Sequence, residues 1–397
     1  MASGILHPSS GSAASGILTG VRDRAERIPW YLWAGLIAST SAVVGGVWDI
    51  SWHRSIGRDT FWTPAHMAIY LCGLIAGFGG GAVVLLSTFG SQERNAATVK
   101  LWGFRAPLGI FMGIWGAVAM ITSAPFDDWW HNAYGLDVKI LSPPHVLLAM
   151  GIITIQLGVL IQVLGAMNRA GDAARRRTLE WMYLFGAALV FLSLQTVLME
   201  TSHRSNMHQA GFYKVLVPAA VVVLVGIARA CGQRWSATLV AGIYTVFTCV
   251  FVWILPLFPA EPKLGPVYQQ LTFFIPPEFP LMFLVPAVLL DLLIKRLDGM
   301  NKWLLSAVCG AVFLAAFVAA QWPFASFLMT PAARNWFFGA HYMPYYLPPT
   351  SLYATFRFFP PESTGAFLKG MGIAMLLTVL FSRLSLAWGD WMRKIQR

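Results

Sequence analysis

Charged side chains are scarce in this chain, since Asp, Glu, Lys and Arg make up 11% of its 397 residues, against roughly 25% in soluble domains. This scarcity excludes an ordinary pair of soluble domains. Apolar residues make up 57% and form continuous runs of about 20 residues, long enough to cross a bilayer as helices. Backbone groups in a bilayer must pair within the chain, and the runs are continuous rather than alternating. The sequence therefore predicts an all-α polytopic integral membrane helix bundle.

Cysteine is also rare, and the first residues have little apolar character. The four cysteines show neither close pairing nor a metal-ligand spacing, which favours small buried residues over a disulfide or a metal site. The first 20 residues are rich in Gly, Ser and Ala and lack the apolar core of a signal peptide. We expect a cytoplasmic disordered tail at residues 1–28.

The apolar runs predict about ten transmembrane helices. Their centres are expected at Ser39, Gly77, Gly113, Thr154, Leu189, Val222, Thr245, Val285, Phe313 and Leu376. The predicted organisation is a four-helix region with an internal repeat at residues 29–166, followed by a six-helix region with long outer loops at residues 167–397. The long loops, around residues 258–280 and 321–362, are rich in Pro and aromatic residues. They either cover a site or pack on the outer surface.

The net charge of +11 follows the topology rather than a polyanionic partner. Lys and Arg cluster in alternate connections, as in the run from Arg175 to Arg177, which is typical of cytoplasmic loops. This pattern argues against a nucleic-acid partner. It places both termini in the cytoplasm and predicts a multi-pass protein of a bacterial-type inner membrane, with the lipid bilayer as its first partner.

A repeated motif lies in the first two outward connections. Each copy has Asp, then His four residues later, then Gly, a second Asp and a second His. The copies are Asp49, His53, Gly57, Asp59, His66 and Asp127, His131, Gly135, Asp137, His145. Both begin at the end of one predicted span and finish at the start of the next. The sequence therefore indicates a duplicated helical hairpin.

The spacing brings metal-ligand groups together. Residues four apart share one face of a helix, so the first Asp and the first His of each copy lie side by side. Thr63-Pro64 and Ser142-Pro143 are N-cap and N1 signals, which put the second His in the first turn of the next helix. One carboxylate with two imidazoles is a ligand set for iron, copper or zinc. The predicted ligands are Asp49, His53, His66, Asp127, His131 and His145.

The remaining acids and histidines of the outer side have two interpretations. Asp59 and Asp137 either accept hydrogen bonds from the far ring nitrogens of ligand histidines or are ordinary turn residues. Glu200, His203 and His208 form a degenerate third site or proton relay, or else a simple interfacial polar cluster.

The paired spacings resemble those of the C subunit of particulate methane and ammonia monooxygenases, over roughly residues 30–166. That family has Asp-x3-His-x12-His at one metal site and Asn-x3-His-x13-His at the other. The first copy here has the former spacing, and the second copy has the latter with Asp127 in place of Asn. The resemblance implies copper, and it implies partner subunits of the monooxygenase type. The soluble copper-binding domains of that family's complex have no counterpart in this chain.

Three functions follow as hypotheses. The first is a copper (or copper/iron) membrane monooxygenase, or a subunit of one, that oxidises a small apolar substrate with electrons from quinol or a partner. The second is a protein that acquires, stores or transfers copper, supplied by a copper chaperone, without turnover. The third is a proton-coupled transporter, which the position of the ionisable groups at span ends rather than mid-span disfavours.

The basic loops predict the topology directly. Reporter fusions after Glu93, after Arg176 and at the C-terminus should be cytoplasmic, and fusions near Ser55, Asp137 and Arg334 should be external. A cytoplasmic signal near Ser55 or Asp137 would contradict the predicted orientation.

Overall fold

The computed structural model describes residues 28–90, 97–135 and 141–396. The predicted tail lies outside the described residues except for residue 28, and Asp137 lies outside them as well. Within the described ranges the chain forms ten helices. They are α1 (Trp30–Ser55), α2 (Pro64–Phe89), α3 (Leu108–Tyr134), α4 (Pro143–Arg169), α5 (Ala173–Val197), α6 (Ala210–Ala230), α7 (Ser236–Leu257), α8 (Leu284–Arg296), α9 (Lys302–Leu328) and α10 (Thr364–Met392).

Local irregularities interrupt this helical pattern only briefly. Helix α2 contains a π-helical turn at Ile75–Gly79, and α7 ends in a 3-10 turn at Leu255–Leu257. A short antiparallel hairpin, β1 (Val99–Leu101) and β2 (Phe104–Ala106), precedes α3. The prediction of an all-α bundle is confirmed.

Nine of the ten helices of the described residues are long and apolar enough to cross a membrane. The exception is α8, where the sequence predicts a span around Val285. With 13 residues it is about 20 Å long, short of the roughly 30 Å of a hydrocarbon core. Pro276, Pro277 and Pro280 precede it, and because proline lacks a backbone donor, the chain there is not helical.

Helices α5 and α6 form the centre of the bundle. Tyr183, Phe191 and Tyr213 on them are fully buried, and α6 is buried along most of its length. Large apolar side chains such as Phe78 and Leu86 are exposed on peripheral helices. Apolar side chains thus occupy both the interior and the outer surface, as expected for a bundle whose outer surface faces lipid.

Glycine pairs bring α3 and α4 into backbone contact. A Cβ added at Gly116 would lie 2.6 Å from the carbonyl oxygen of Gly151, and one added at Gly151 would lie 2.8 Å from that of Gly116. Gly109 and Gly158 oppose each other in the same way about two helical turns further from the motif. Small residues allow this close approach in membrane bundles. Since α3 carries Asp127 and His131 and α4 carries His145, the glycine pairs set the spacing of the second motif copy.

The first hairpin is closed in a similar manner. A Cβ on Gly45 of α1 would lie 2.8 Å from the backbone nitrogen of Ile69 on α2, and Ser41 Oγ donates a hydrogen bond of 2.6 Å to the carbonyl of Ala68. At the opposite end of the bundle, Arg229 pairs with Asp298 and Asp390, and Lys302 lies 3.5 Å from Asp390. Asp49 and Asp127 lie near the ends of α1 and α3, and His66 and His145 lie at the starts of α2 and α4. The two motif copies therefore share one end of the bundle, which we call the site end.

The glycine contacts generate a testable prediction. Gly116→Ala should lower the thermal stability of the purified protein, by about 1–3 kcal/mol, because the methyl group must push the two backbones apart. The matched control is Gly113→Ala on the same helix, where an added Cβ meets nothing within 4 Å. Equal melting temperatures for the two variants would contradict the prediction.

Candidate metal centre

Four side chains converge at the first motif copy. His66 Nε2 lies 3.1 Å from Asp49 Oδ1 and 3.4 Å from Asp59 Oδ2. His53 Nε2 lies 3.8 Å from Asp49 Oδ2 and 3.5 Å from Asp59 Oδ2. Asp49, His53 and Asp59 each offer one ligand atom, and these atoms all lie within 4.8 Å of one another. We call the four residues the first cluster.

Asp59 has a different place from the one predicted. It does not accept from the far ring nitrogen of His66, because that atom, Nδ1, lies 2.9 Å from the carbonyl oxygen of Thr60. Asp59 Oδ2 instead faces the same Nε2 atoms as Asp49 does. The reason is the turn at Gly57, whose φ of 84° is a conformation that favours glycine and directs the chain back over the end of α1. Asp59 is therefore a candidate ligand.

The second motif copy repeats the first with one carboxylate fewer. His131 Nε2 lies 3.5 Å from Asp127 Oδ2, and His145 Nε2 lies 3.4 Å from Asp127 Oδ1. One ligand atom from each of these three residues lies within 4.8 Å of the others. His131 Nδ1 lies 3.3 Å from the carbonyl oxygen of Gly135, a glycine with φ of 86°. We call these three residues the second cluster.

The helix ends position the ligands as the sequence predicts. Helices α2 and α4 begin at Pro64 and Pro143, so His66 and His145 are the third residues of their helices. Ser142 caps α4 by accepting from the backbone nitrogen of His145 at 3.4 Å. The matched positions of the two clusters agree with the predicted duplication of a hairpin.

The donor atoms fit a metal ion. In both clusters the Nε2 atoms face carboxylate oxygens, and a backbone carbonyl lies at the Nδ1 atom of His66 and His131. Such a partner favours the tautomer with the proton on Nδ1, in which Nε2 carries the lone pair that a metal needs. Asp127 Oδ1 is buried and makes no hydrogen bond within the described part of the chain. A cation held between these atoms would satisfy that oxygen.

One cavity of about 520 Å³ is lined by residues of both clusters, namely Asp49, His53 and His145. Glu200 lines it too, at the same end. Apolar side chains of α1 and α4 form most of the rest of its wall, and α5 adds Ser193, Thr196 and Val197.

The two long loops close this cavity at the site end. Leu264 and Pro266 of one loop and Tyr345 and Tyr346 of the other line it. The loops are attached to the end of α1 through the backbone, since Lys263 N donates to Ile56 O at 2.9 Å and Tyr345 N donates to Arg54 O at 3.1 Å. Of the two interpretations of the loops, the structure supports the one in which they cover a site.

The third predicted group is not assembled. Helix α5 ends at Val197, so Glu200 and His203 do not share a helix face. His203 Nε2 lies 3.5 Å from Glu278 Oε1 instead. His208 is stacked between Trp322 and Phe358, with ring centroids 4.0 and 3.7 Å away, and its Nε2 contacts the carbonyl oxygen of Trp322. Only Glu200 of the three lines the main cavity.

Glu278 and Arg204 belong to a charged group that the sequence does not predict. Arg204 is buried and contacts the carbonyl oxygens of Ala340 and Tyr342. Burial alone would raise the pKa of Glu278, but nearby positive charge, that of Arg204 first, lowers it below its ordinary value. Burial lowers the pKa of His203 to about 4, so its ring is neutral near pH 7. The group therefore anchors the loop of Glu278 to the α5–α6 connection.

Comparison with family models, with curated proteins and with solved structures gives no significant match to this chain. The candidate site therefore rests on its own geometry.

The buried His203 ring predicts a pH dependence of stability. Its pKa is lower in the folded chain than the ordinary 6.5. Between pH 6.5 and about 4 the unfolded chain therefore binds more protons, and stability falls as the pH falls. A shift of this size corresponds to about 3 kcal/mol across that window.

The variant His203→Asn tests this contribution, because Asn can still accept the hydrogen bond that Ser205 N donates to His203 Nδ1 at 3.2 Å. It should lose less stability than wild type between pH 6.5 and 4, measured by thermal unfolding. Parallel pH profiles for the two proteins would refute the assignment.

Proposed function

We propose that this protein is a membrane metalloprotein that holds two transition-metal ions at the site end of the bundle and activates dioxygen there. Copper is the first metal to expect, with iron as the alternative that can activate dioxygen. Zinc fits the same ligands but has no redox chemistry, so zinc would exclude the oxidation. The observation that carries the proposal is the convergence of two carboxylate–imidazole clusters on the wall of one cavity.

The donor sets support transition metals over the hard alkaline-earth cations. Each cluster offers two imidazoles, which suit copper, iron and zinc, whereas magnesium and calcium prefer oxygen ligands. Asp49, His53, Asp59 and His66 would hold one ion. Asp127, His131 and His145 would hold the other, with positions left for further ligands. The second carboxylate makes the first cluster the harder of the two and favours iron more there than at the second.

An oxidising enzyme agrees with the cavity better than a metal carrier does. A carrier needs a route for the ion and nothing more, whereas this cavity has an extensive apolar wall beside the clusters. When bound, a copper or iron ion would supply the redox chemistry that activates dioxygen. The residues of the chain bind and orient the ions, and the loops of Leu264 and Tyr345 limit the access of water. The resemblance to monooxygenase C subunits supports the same class of reaction.

The metal content of the purified protein tests this proposal. Wild type should hold about two transition-metal ions per chain if each cluster is one site. His53→Ala should remove one ion and His131→Ala the other, because each hairpin supplies its own ligands. The control is His208→Phe, which removes an imidazole but keeps the aromatic stack, and it should retain both ions. Wild-type protein that holds no transition metal after incubation with copper or iron would contradict the proposal.

Oxygen uptake by membranes supplied with quinol separates the enzyme from the carrier. Wild-type membranes should consume oxygen, and the His131→Ala variant should not. Asp127→Asn places an amide at the position where the resembling family has one, and it should keep some metal while changing its redox behaviour. Full metal content without oxygen uptake would identify a carrier.

A further inference from the structure

The cavity beside the two clusters is elongated and follows one face of two helices. On α1 it is lined by Ala42 and Gly46 and then by Asp49 and His53, residues three or four apart that share a face. On α4 it is lined by His145, Ala149 and Ile152, with the same period. The distance along α1 from Ala42 to His53 is about 16 Å. A molecule of a few atoms would occupy only a small part of this length.

The polarity of the wall changes along this length. Its ionisable residues are Asp49, His53, Arg54, His145 and Glu200. They belong to the last turns of α1, the first turn of α4 and the connection after α5, all at the site end. Deeper in the span the wall is formed by side chains such as Val43, Ala149 and Ile153. The hydroxyls of Ser193 and Thr196 on α5 also line it, but Ser193 Oγ accepts from Gln156 Nε2 and Thr196 Oγ1 donates to the carbonyl of Leu192. The lining residues at this depth therefore include no charged group to compensate a charge.

Small residues leave the room that this cavity occupies. Gly46 lines it, and a Cβ added at Gly46 would meet nothing within 4 Å in the structure. Ala149 of α4 lines the cavity at about the depth of Gly46, and Ala42 lines it one turn deeper on α1. The space between α1 and α4 is therefore a channel along the helix axes.

We propose that the cavity binds an uncharged molecule with one linear hydrocarbon chain, lying along α1 and α4 with one end at Asp49, His53 and His145. The inference rests on the proposed function, since this molecule is the substrate of the two metal sites. The volume of about 520 Å³ lies within the range of small-molecule sites. Two carboxylates and the single guanidinium of Arg54 are among the residues that line it, so the side chains themselves offer no surplus of positive charge to an anionic end group.

Photo-crosslinking tests this proposal without turnover. The probe is a decanol analogue with a diazirine at the far end of its chain, added to the full chain in lipid nanodiscs. Labelling should map to the deep wall, around Val43, Gly46 and Ile153. Excess decanol should suppress it, and butanol or decanoate should not.

Two glycine variants provide the matched comparison. Gly46→Phe fills the channel and should reduce labelling by about tenfold or more. Gly81→Phe on α2 adds the same side chain at another glycine with nothing within 4 Å, away from the cavity lining, and should label as wild type does. Ala149→Phe fills the channel from the facing helix, so a folding defect of Gly46→Phe does not decide the result.

The outcomes separate this inference from the proposed function. Protein that holds both metal ions but gives equal labelling in wild type and in the two channel-filling variants would overturn the inference. Suppression by decylubiquinol but not by decanol would also overturn it, because the site would then recognise a quinol ring. Mapped and suppressible labelling in protein without metal would support the binding of the chain while removing the proposed oxidation.

Discussion

Two carboxylates at the ends of membrane-spanning helices, Asp49 and Asp127, set the requirement that the site end of this bundle must meet. An ionisable group at membrane depth is unfavourable unless a partner compensates its charge. Here each carboxylate lies between the Nε2 atoms of two imidazoles. That arrangement needs the end of one helix and the start of the next at a fixed separation. The glycine contacts within each hairpin, at Gly45 and at Gly116 with Gly151, provide that separation through close backbone packing.

The two halves of the chain contribute different parts of the candidate site. Helices α1 to α4 carry all seven residues of the two clusters except Asp59, which lies in the loop between α1 and α2. The second half supplies the buried core of α6 and the two loops that cover the cavity. The buried charge of Arg204 stabilises the carboxylate of Glu278 on one of these loops, and His203 Nε2 lies 3.5 Å from that carboxylate. The candidate site is therefore complete only when both halves are folded.

The sequence predicts the helical bundle, the two hairpins and six of the seven cluster residues, because those features follow from local rules. A spacing of four residues places Asp49 beside His53, and a Thr-Pro or Ser-Pro pair begins the next helix. The inward position of Asp59 depends on the turn at Gly57, and the pairing of His203 with Glu278 joins segments 75 residues apart, which no periodicity contains. The stacking of His208 and the shortness of α8 also depend on distant aromatic contacts and on prolines outside the helix.

The attachment of the covering loops has an evolutionary consequence. Both loops are joined to the end of α1 by main-chain hydrogen bonds, from Lys263 N to Ile56 O and from Tyr345 N to Arg54 O. Most amino acids can make such bonds, so they place little restriction on the side chains that the loops present to the cavity. Substitutions at Leu264 or Tyr346 can therefore change the shape of the cavity while the two backbone hydrogen bonds keep the loops in place. A scaffold of this kind can acquire new substrate specificities through substitutions in its covering loops, while the positions of the cluster residues stay unchanged.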